Sequence, residues 1–213
     1  MLLLNYGKIC DIIYTNVYIE RKIYMASFSM HLAIAKLYLN THKEEDIEEF
    51  IKGTLAPDLT DDKSATHYGR HAAWANPANY LQSNGNDIEN SFKKAYFLHL
   101  ITDYLFYHKL IDVDDYLEKL GVDEWRRRHR TDFDILEDEI KKKYEIEDMV
   151  EKLPDHIKKH MTKAQGELTI FERESLYNLL EDISKIDLIK MKEELLKNPD
   201  ADLIKLLEEI ISK

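Results

Sequence analysis

The sequence predicts an all-α fold, and three observations predict it. Apolar residues recur at helical intervals through most of the chain. The 213 residues include 6 glycines and 4 prolines, too few turn formers for a β fold of this length. Hydrophobic residues make up 44% and charged residues 33%, which excludes a disordered chain and supplies enough apolar surface for a core.

The elements follow in order. Residues 1–24 are rich in Ile, Val and Tyr, unlike the Lys/Glu/Leu-rich remainder. They are read as an N-terminal extension, with Met25 as an alternative start, and 25–213 as a single helical domain. The opening residues carry no basic residue before the apolar run Leu2–Leu4 and no small-x-small site after it, so they do not read as a signal peptide. No stretch approaches the ~18 uninterrupted apolar residues of a membrane span, and a cytoplasmic protein is expected. Ser27 or Ser29 caps a helix through Met30, Ala33, Ile34, Leu37 and Leu39. Thr41 and Glu44 have capping-box spacing before a helix through Ile47, Phe50 and Ile51, which Gly53 ends. Residues 54–87 hold Pro57, Pro77, Gly69 and Gly85 and form the natural functional loop. Asp87 caps a long helix whose middle, Ala95 to Phe106, is apolar nearly all round and therefore central. A short helix from Asp114 to Leu120 stops at Gly121, and Asp123 caps the next long one. Shorter amphipathic helices start near Ile146, Pro154, Glu172 and Asp187, with a last one after Asn198-Pro199-Asp200.

Lys and Arg number 30 against 41 Asp and Glu, a formal charge of −11. Such a field repels polyanions, so no nucleic-acid partner is expected. The lone Cys10 excludes a disulfide framework and a cysteine-ligated zinc site. Nine histidines among so many carboxylates can build a metal site without sulfur.

His99-Leu-Ile-Thr-Asp103 puts an imidazole and a carboxylate on one face of the apolar helix. A buried carboxylate needs a counter-charge, and either an imidazolium or a metal ion supplies it. A purely structural His–Asp pair is the other reading. Further candidates are His31 on the first helix, Asp58 in an Ala-Pro-Asp loop, His67, His108, and His129 with Asp132 or Asp134. Asp132 lies three residues after His129 and shares its face, whereas Asp134 is turned roughly 140° away. His108, five residues after Asp103, turns toward the cluster only if the helix unwinds near Tyr107 or Asp103 serves ions on both sides. His71 is an alternative to His67. His42, His156 and His160 sit in charged stretches and read as solvated. Arg126, Arg127, Arg128 and Arg130 are either a phosphate-facing group or the wet side of a helix, and Trp74 and Tyr80 either line a substrate mouth or pack locally.

The ordered set resembles the zinc-dependent phospholipase C family of bacteria, whose distant relatives include fungal single-strand nucleases. The residues that carry the resemblance are Ser27-Phe-Ser-Met-His31-Leu-Ala-Ile-Ala, Gly53-Thr-Leu-Ala-Pro-Asp58, Thr66-His67, Tyr96-Phe-Leu-His99-Leu-Ile-Thr-Asp103-Tyr and His129-Arg-Thr-Asp132-Phe-Asp134. The resemblance implies a multi-helix phospholipase C-like bundle with two or three zinc ions. His67, His99 and Asp103 would hold one, and Asp103 would bridge to a second shared with His31. His108, His129 and Asp132 would hold a third, and Asp58 would take the proton of the attacking water or touch a metal through it. The implied activity is hydrolysis of a small or phospholipid phosphoester, with transient membrane contact. A non-catalytic helical protein with a structural or vestigial zinc site is the second reading. An HD-type phosphohydrolase ranks below both, because no His-Asp dipeptide occurs.

Overall fold

The computed structural model describes residues 27–44, 46–60, 62–69, 74–111, 113–159 and 161–212. The extension 1–24, the alternative start Met25, and His71 and His160 lie outside them. Among the described residues the fold is all-helical, with no strand. The helices are α1 Phe28–Thr41, α2 Ile47–Leu55, α3 Lys63–His67, α4 Pro77–Ser83, α5 Ser91–Leu105, α6 Val113–Leu120 and α7 Val122–Lys143. They continue with α8 Glu147–Glu151, α9 Asp155–Lys158, α10 Arg173–Ser184, α11 Leu188–Lys197 and α12 Leu203–Ile211. A 3-10 turn, Ala56–Asp58, follows α2, and a π-helical segment, Phe106–Leu110, continues α5.

The central helix is α5, as its all-round apolar middle predicts. Phe97, Leu98, His99, Leu100, Ile101, Asp103 and Leu105 are all buried. Its main partner is α2, with α1, α4 and α12 also against it. Gly53 sits inside α2, which runs on to Leu55 rather than ending there. A Cβ at this position would lie 2.1 Å from the Phe92 carbonyl oxygen, so only glycine lets the two backbones approach so closely. That approach brings the end of α2 and the turn after it onto the face of α5 that carries His99 and Asp103.

Helix caps differ in places from the sequence reading. Ser27 caps α1 by accepting from the Met30 amide. Asp46, not Thr41, caps α2. Glu44 instead accepts from Ser91 and pairs with Lys94 at 2.7 Å, which ties the approach to α2 to the start of α5. Asn90 rather than Asp87 caps α5, because the Asp87 carboxylate accepts from the Glu89 amide and the Lys93 ammonium. Gly121, with φ of 73°, opens α7, and Asp123 lies in its first turn. Buried Glu137 on α7 accepts from Ser29 and pairs with Lys141 at 2.9 Å, fixing α7 against α1. The five C-terminal helices begin close to the expected starts. Of these, α10 packs on α1 and on the π segment, and α12 on α5.

Candidate metal centre

Four segments deliver five side chains to one point. His31 comes from α1, Asp58 from the 3-10 turn, His67 from the last residue of α3, and His99 and Asp103 from α5. His31, His67, His99 and Asp103 are buried, and Asp58 exposes 4% of its side chain. Pro57 fixes the turn that aims Asp58 inward. Tyr68, in the left-handed region at φ 57°, ends α3 immediately after His67.

Asp58, His67, His99 and Asp103 each offer an atom, all within 4.8 Å of one another. His67 Nε2 lies 3.1 Å from Asp103 Oδ2 and 3.5 Å from Asp58 Oδ1. His99 Nε2 lies 3.4 Å and 3.6 Å from the same two oxygens. The remaining oxygens face the other way: Asp103 Oδ1 is 3.3 Å from His31 Nε2, and Asp58 Oδ2 is 3.8 Å from it. His31 stacks on His99 with ring centroids 3.8 Å apart. Both carboxylates therefore span two donor sets, one closed by two imidazoles and one by His31 alone.

Protonation states follow from the opposite ring nitrogens. His99 Nδ1 lies 2.7 Å from the Thr54 carbonyl, and His67 Nδ1 lies 3.1 Å from that of Lys63. A carbonyl only accepts, so both Nδ1 atoms donate and a neutral ring presents an Nε2 lone pair inward. Those two Nε2 atoms are 3.3 Å apart. Two lone pairs facing two carboxylates repel one another unless a cation or a proton lies among them. His31 Nε2, Asp58 Oδ1 and both Asp103 oxygens are buried without a hydrogen-bond partner. Orphaned buried acceptors of this kind are what a metal ion satisfies, and the imidazole–carboxylate set fits one.

The electrostatics agree. Burial pushes the carboxyls of Asp58 and Asp103 up, but the facing imidazoles, His99 foremost, outweigh it and hold Asp103 well below the usual range and Asp58 below it. Burial pulls His67 down, yet Asp103 and Asp58 overcome this and raise it to about 9. Burial and then His31 lower His99. Without a metal, His67 carries the proton that the two carboxylates demand, and a cation would replace it.

The other predicted set does not converge. Among the described residues, one group of three or more metal-binding side chains lies close enough to share an ion, and His108, His129 and Asp132 are not in it. The helix does widen at Phe106–Leu110, but His108 stays exposed there, tilted against the Tyr104 ring at 4.2 Å. His129 is buried in an aromatic box of Trp125, Phe133, Phe106, Tyr107 and Phe171, with Nε2 3.3 Å from the Tyr107 hydroxyl. Burial drives its pKa down to about 3, which keeps it neutral. Asp132 accepts the amides of Thr169, Ile170 and Phe171 at 2.6–3.0 Å, together with the Thr169 hydroxyl. Asp134 accepts from Thr162 and pairs with Arg130.

Among the remaining candidates, Arg127 and Arg128 pair with Glu124 on the exposed side of α7. Tyr80 is a packing residue: its ring stacks on Tyr96 at 4.9 Å and its hydroxyl donates to the Lys93 carbonyl. His42 stacks on Tyr38 at 4.0 Å. Two participants escaped the sequence reading. The Thr54 carbonyl orients His99, and Lys63 both orients His67 through its carbonyl and sets its ammonium 3.6 Å from Asp58 Oδ1. A backbone carbonyl has no residue signature, and a lysine in a charged loop is unremarkable.

Family models, curated proteins and solved structures were all compared with this chain, and none matched. No described helix is long and apolar enough to cross a membrane.

Proposed function

We propose that the protein is a zinc-dependent hydrolase of phosphoester bonds, similar in its site to the phospholipase C family. The observation that carries this reading is the division of donors around Asp58 and Asp103. Asp58 Oδ1, His67, His99 and Asp103 Oδ2 make a four-donor set of the kind that closes a tetrahedral structural site. His31 Nε2, Asp58 Oδ2 and Asp103 Oδ1 make a three-donor set, and three protein ligands are what a catalytic zinc uses. The three-donor set would hold a zinc ion that would supply Lewis acidity and lower the pKa of bound water toward neutrality.

The residues do the rest. Thr54 and Lys63 carbonyls fix the imidazole tautomers, so the inward nitrogens need no reorganisation. His31 stacked on His99 holds the open set against the closed one. Asp58 is the least buried of the five, and its depressed pKa makes it a ligand first and a weak proton acceptor second. The net charge of −11 disfavours polyanions, leaving small or phospholipid phosphoesters as substrates and brief membrane contact as the means of reaching a lipid. A cytoplasmic address belongs to the same proposal.

The burial of His67, His99 and Asp103 favours a second reading, a structural zinc without turnover. His31→Ala separates the two. On the hydrolase reading, the zinc-loaded wild type cleaves bis(p-nitrophenyl) phosphate. His31→Ala keeps about one zinc per chain by mass spectrometry and loses at least about 100-fold in turnover. Wild-type protein that holds one zinc, melts on chelation and leaves every diester tested intact would make the site structural.

A further inference from the structure

We propose that Lys63 is the anion-binding residue of this centre, the ammonium that receives a phosphoryl oxygen of the substrate. The inference rests on the hydrolase reading for its substrate class and names the group that would recognise the phosphate.

The placement argues for it. Asp58, with 4% of its side chain exposed, is the least buried member of the cluster and so marks its side nearest solvent. Lys63 lies on that side, with 18% of its side chain exposed and Nζ 3.6 Å from Asp58 Oδ1. No other Lys or Arg among the described residues pairs with the two cluster carboxylates. A charge-assisted N–H to carboxylate bond is about 2.7–2.9 Å, so at 3.6 Å the ammonium is beside the Asp58 carboxylate without a hydrogen bond to it. Its hydrogen bond goes to the Asp58 main-chain carbonyl, at 2.7 Å. An ammonium has three donors, and this bond uses one of them.

Charge balance points the same way. The five side chains carry two negative charges when all three imidazoles are neutral, and a divalent cation in the four-donor set would by itself cancel both. Lys63 is then a surplus positive charge at the mouth, anchored through Asp58 and 3.6 Å from a ligand oxygen. An incoming phosphodiester brings one negative charge and two non-bridging oxygens. Nζ lies beside Asp58 Oδ1 and the His31 set uses Oδ2 of the same carboxylate, so one phosphoryl oxygen could face the His31 set across Asp58 while the other meets Nζ. The Asp58 main-chain bond keeps the ammonium within reach of that spot, which lowers the entropic cost of capture.

The Lys63 carbonyl, which holds His67, survives any change of side chain. Lys63→Met and Lys63→Arg therefore test the ammonium alone. The probe is inorganic phosphate, titrated by calorimetry into the zinc-loaded full chain. Lys63→Met is expected to bind phosphate about tenfold more weakly than wild type, and Lys63→Arg to stay within about threefold. Zinc content and melting temperature should match wild type in both. Equal phosphate affinity in Lys63→Met, no phosphate binding by wild type, or loss of zinc from both variants would overturn the assignment. Because the readout is binding, the two proposals fail separately. A tenfold gap with no diester cleavage by wild type removes the hydrolase and keeps Lys63 as an anion contact. Cleavage by wild type with no gap removes Lys63 alone.

Discussion

Two neighbourhoods in this molecule contain the same chemical groups and use them in opposite ways. Around His99 and Asp103, imidazole nitrogens and carboxylate oxygens face one another, and several buried acceptors lack any donor. Around His129 and Asp132, the carboxylate is filled by three backbone amides and a hydroxyl, and the imidazole is walled in by aromatic rings. One neighbourhood leaves acceptors that a metal ion or a proton can satisfy, and the other has already been satisfied by the chain. Residue type alone does not make a ligand; what decides is whether protein donors have reached the acceptor first.

The largest way to break this contrast is to neutralise one carboxylate in each neighbourhood. Asp103→Asn keeps the shape but removes a charge and one oxygen that face three histidines. Zinc retained after desalting is expected to fall by at least about 100-fold in affinity, read by competition with a chromogenic chelator. Asp132→Asn should leave that affinity unchanged. Equal loss in both variants would mean that the two neighbourhoods are not different in kind.

Stability should reverse the order. Asp132 on α7 holds residues 169–171, which lie far along the chain and lead into α10. Asp132→Ala leaves those amides without their acceptor, and a buried charge-assisted network of this kind is worth about 3 kcal/mol. Urea unfolding of the metal-free protein should show that loss, with zinc affinity in the folded protein close to wild type. A change under about 0.5 kcal/mol would place residues 169–171 among surface loops that need no anchor.

These contrasts also show how far the sequence can be read. The all-α class and the central position of α5 follow from its apolar middle, and His99 with Asp103 from four-residue spacing on that helix. Helix starts near Ile146, Glu172 and Asp187 are legible because caps and period are local. Caps failed where a long-range partner claimed the side chain: Glu44 is drawn to Ser91 and Lys94, which leaves Asp46 to cap α2. His129 with Asp132 was misleading for the same reason, since the amides that fill Asp132 come from residues 37 to 39 positions away. That His31, Asp58 and His67 join His99 rests on the close approach of α2 to α5 at Gly53 and on a 3-10 turn, neither of which a spacing rule contains.

The smallest effect comes from the buried imidazole and appears only on acidification. His129 has a folded pKa of about 3, pushed down by burial from an ordinary 6.5. The unfolded chain therefore binds a proton first as pH falls. The sign follows: this histidine costs nothing above pH 6.5, and its neutral burial destabilises the fold progressively between 6.5 and about 3. At pH 5.5 the linkage amounts to roughly 1 kcal/mol. His129→Phe keeps the ring in its aromatic box and removes the titration, at the cost of a partner for the Tyr107 hydroxyl. The variant should thus be somewhat less stable than wild type at pH 8 and should lose less on going to pH 5.5, the difference in slope being that same ~1 kcal/mol. Asp58 and Asp103 add their own acid sensitivity to both proteins equally, so the comparison isolates His129. Parallel pH profiles for the two proteins would show that His129 is reached by water or by a proton donor, and the contrast between a satisfied and an unsatisfied histidine would lose its second half.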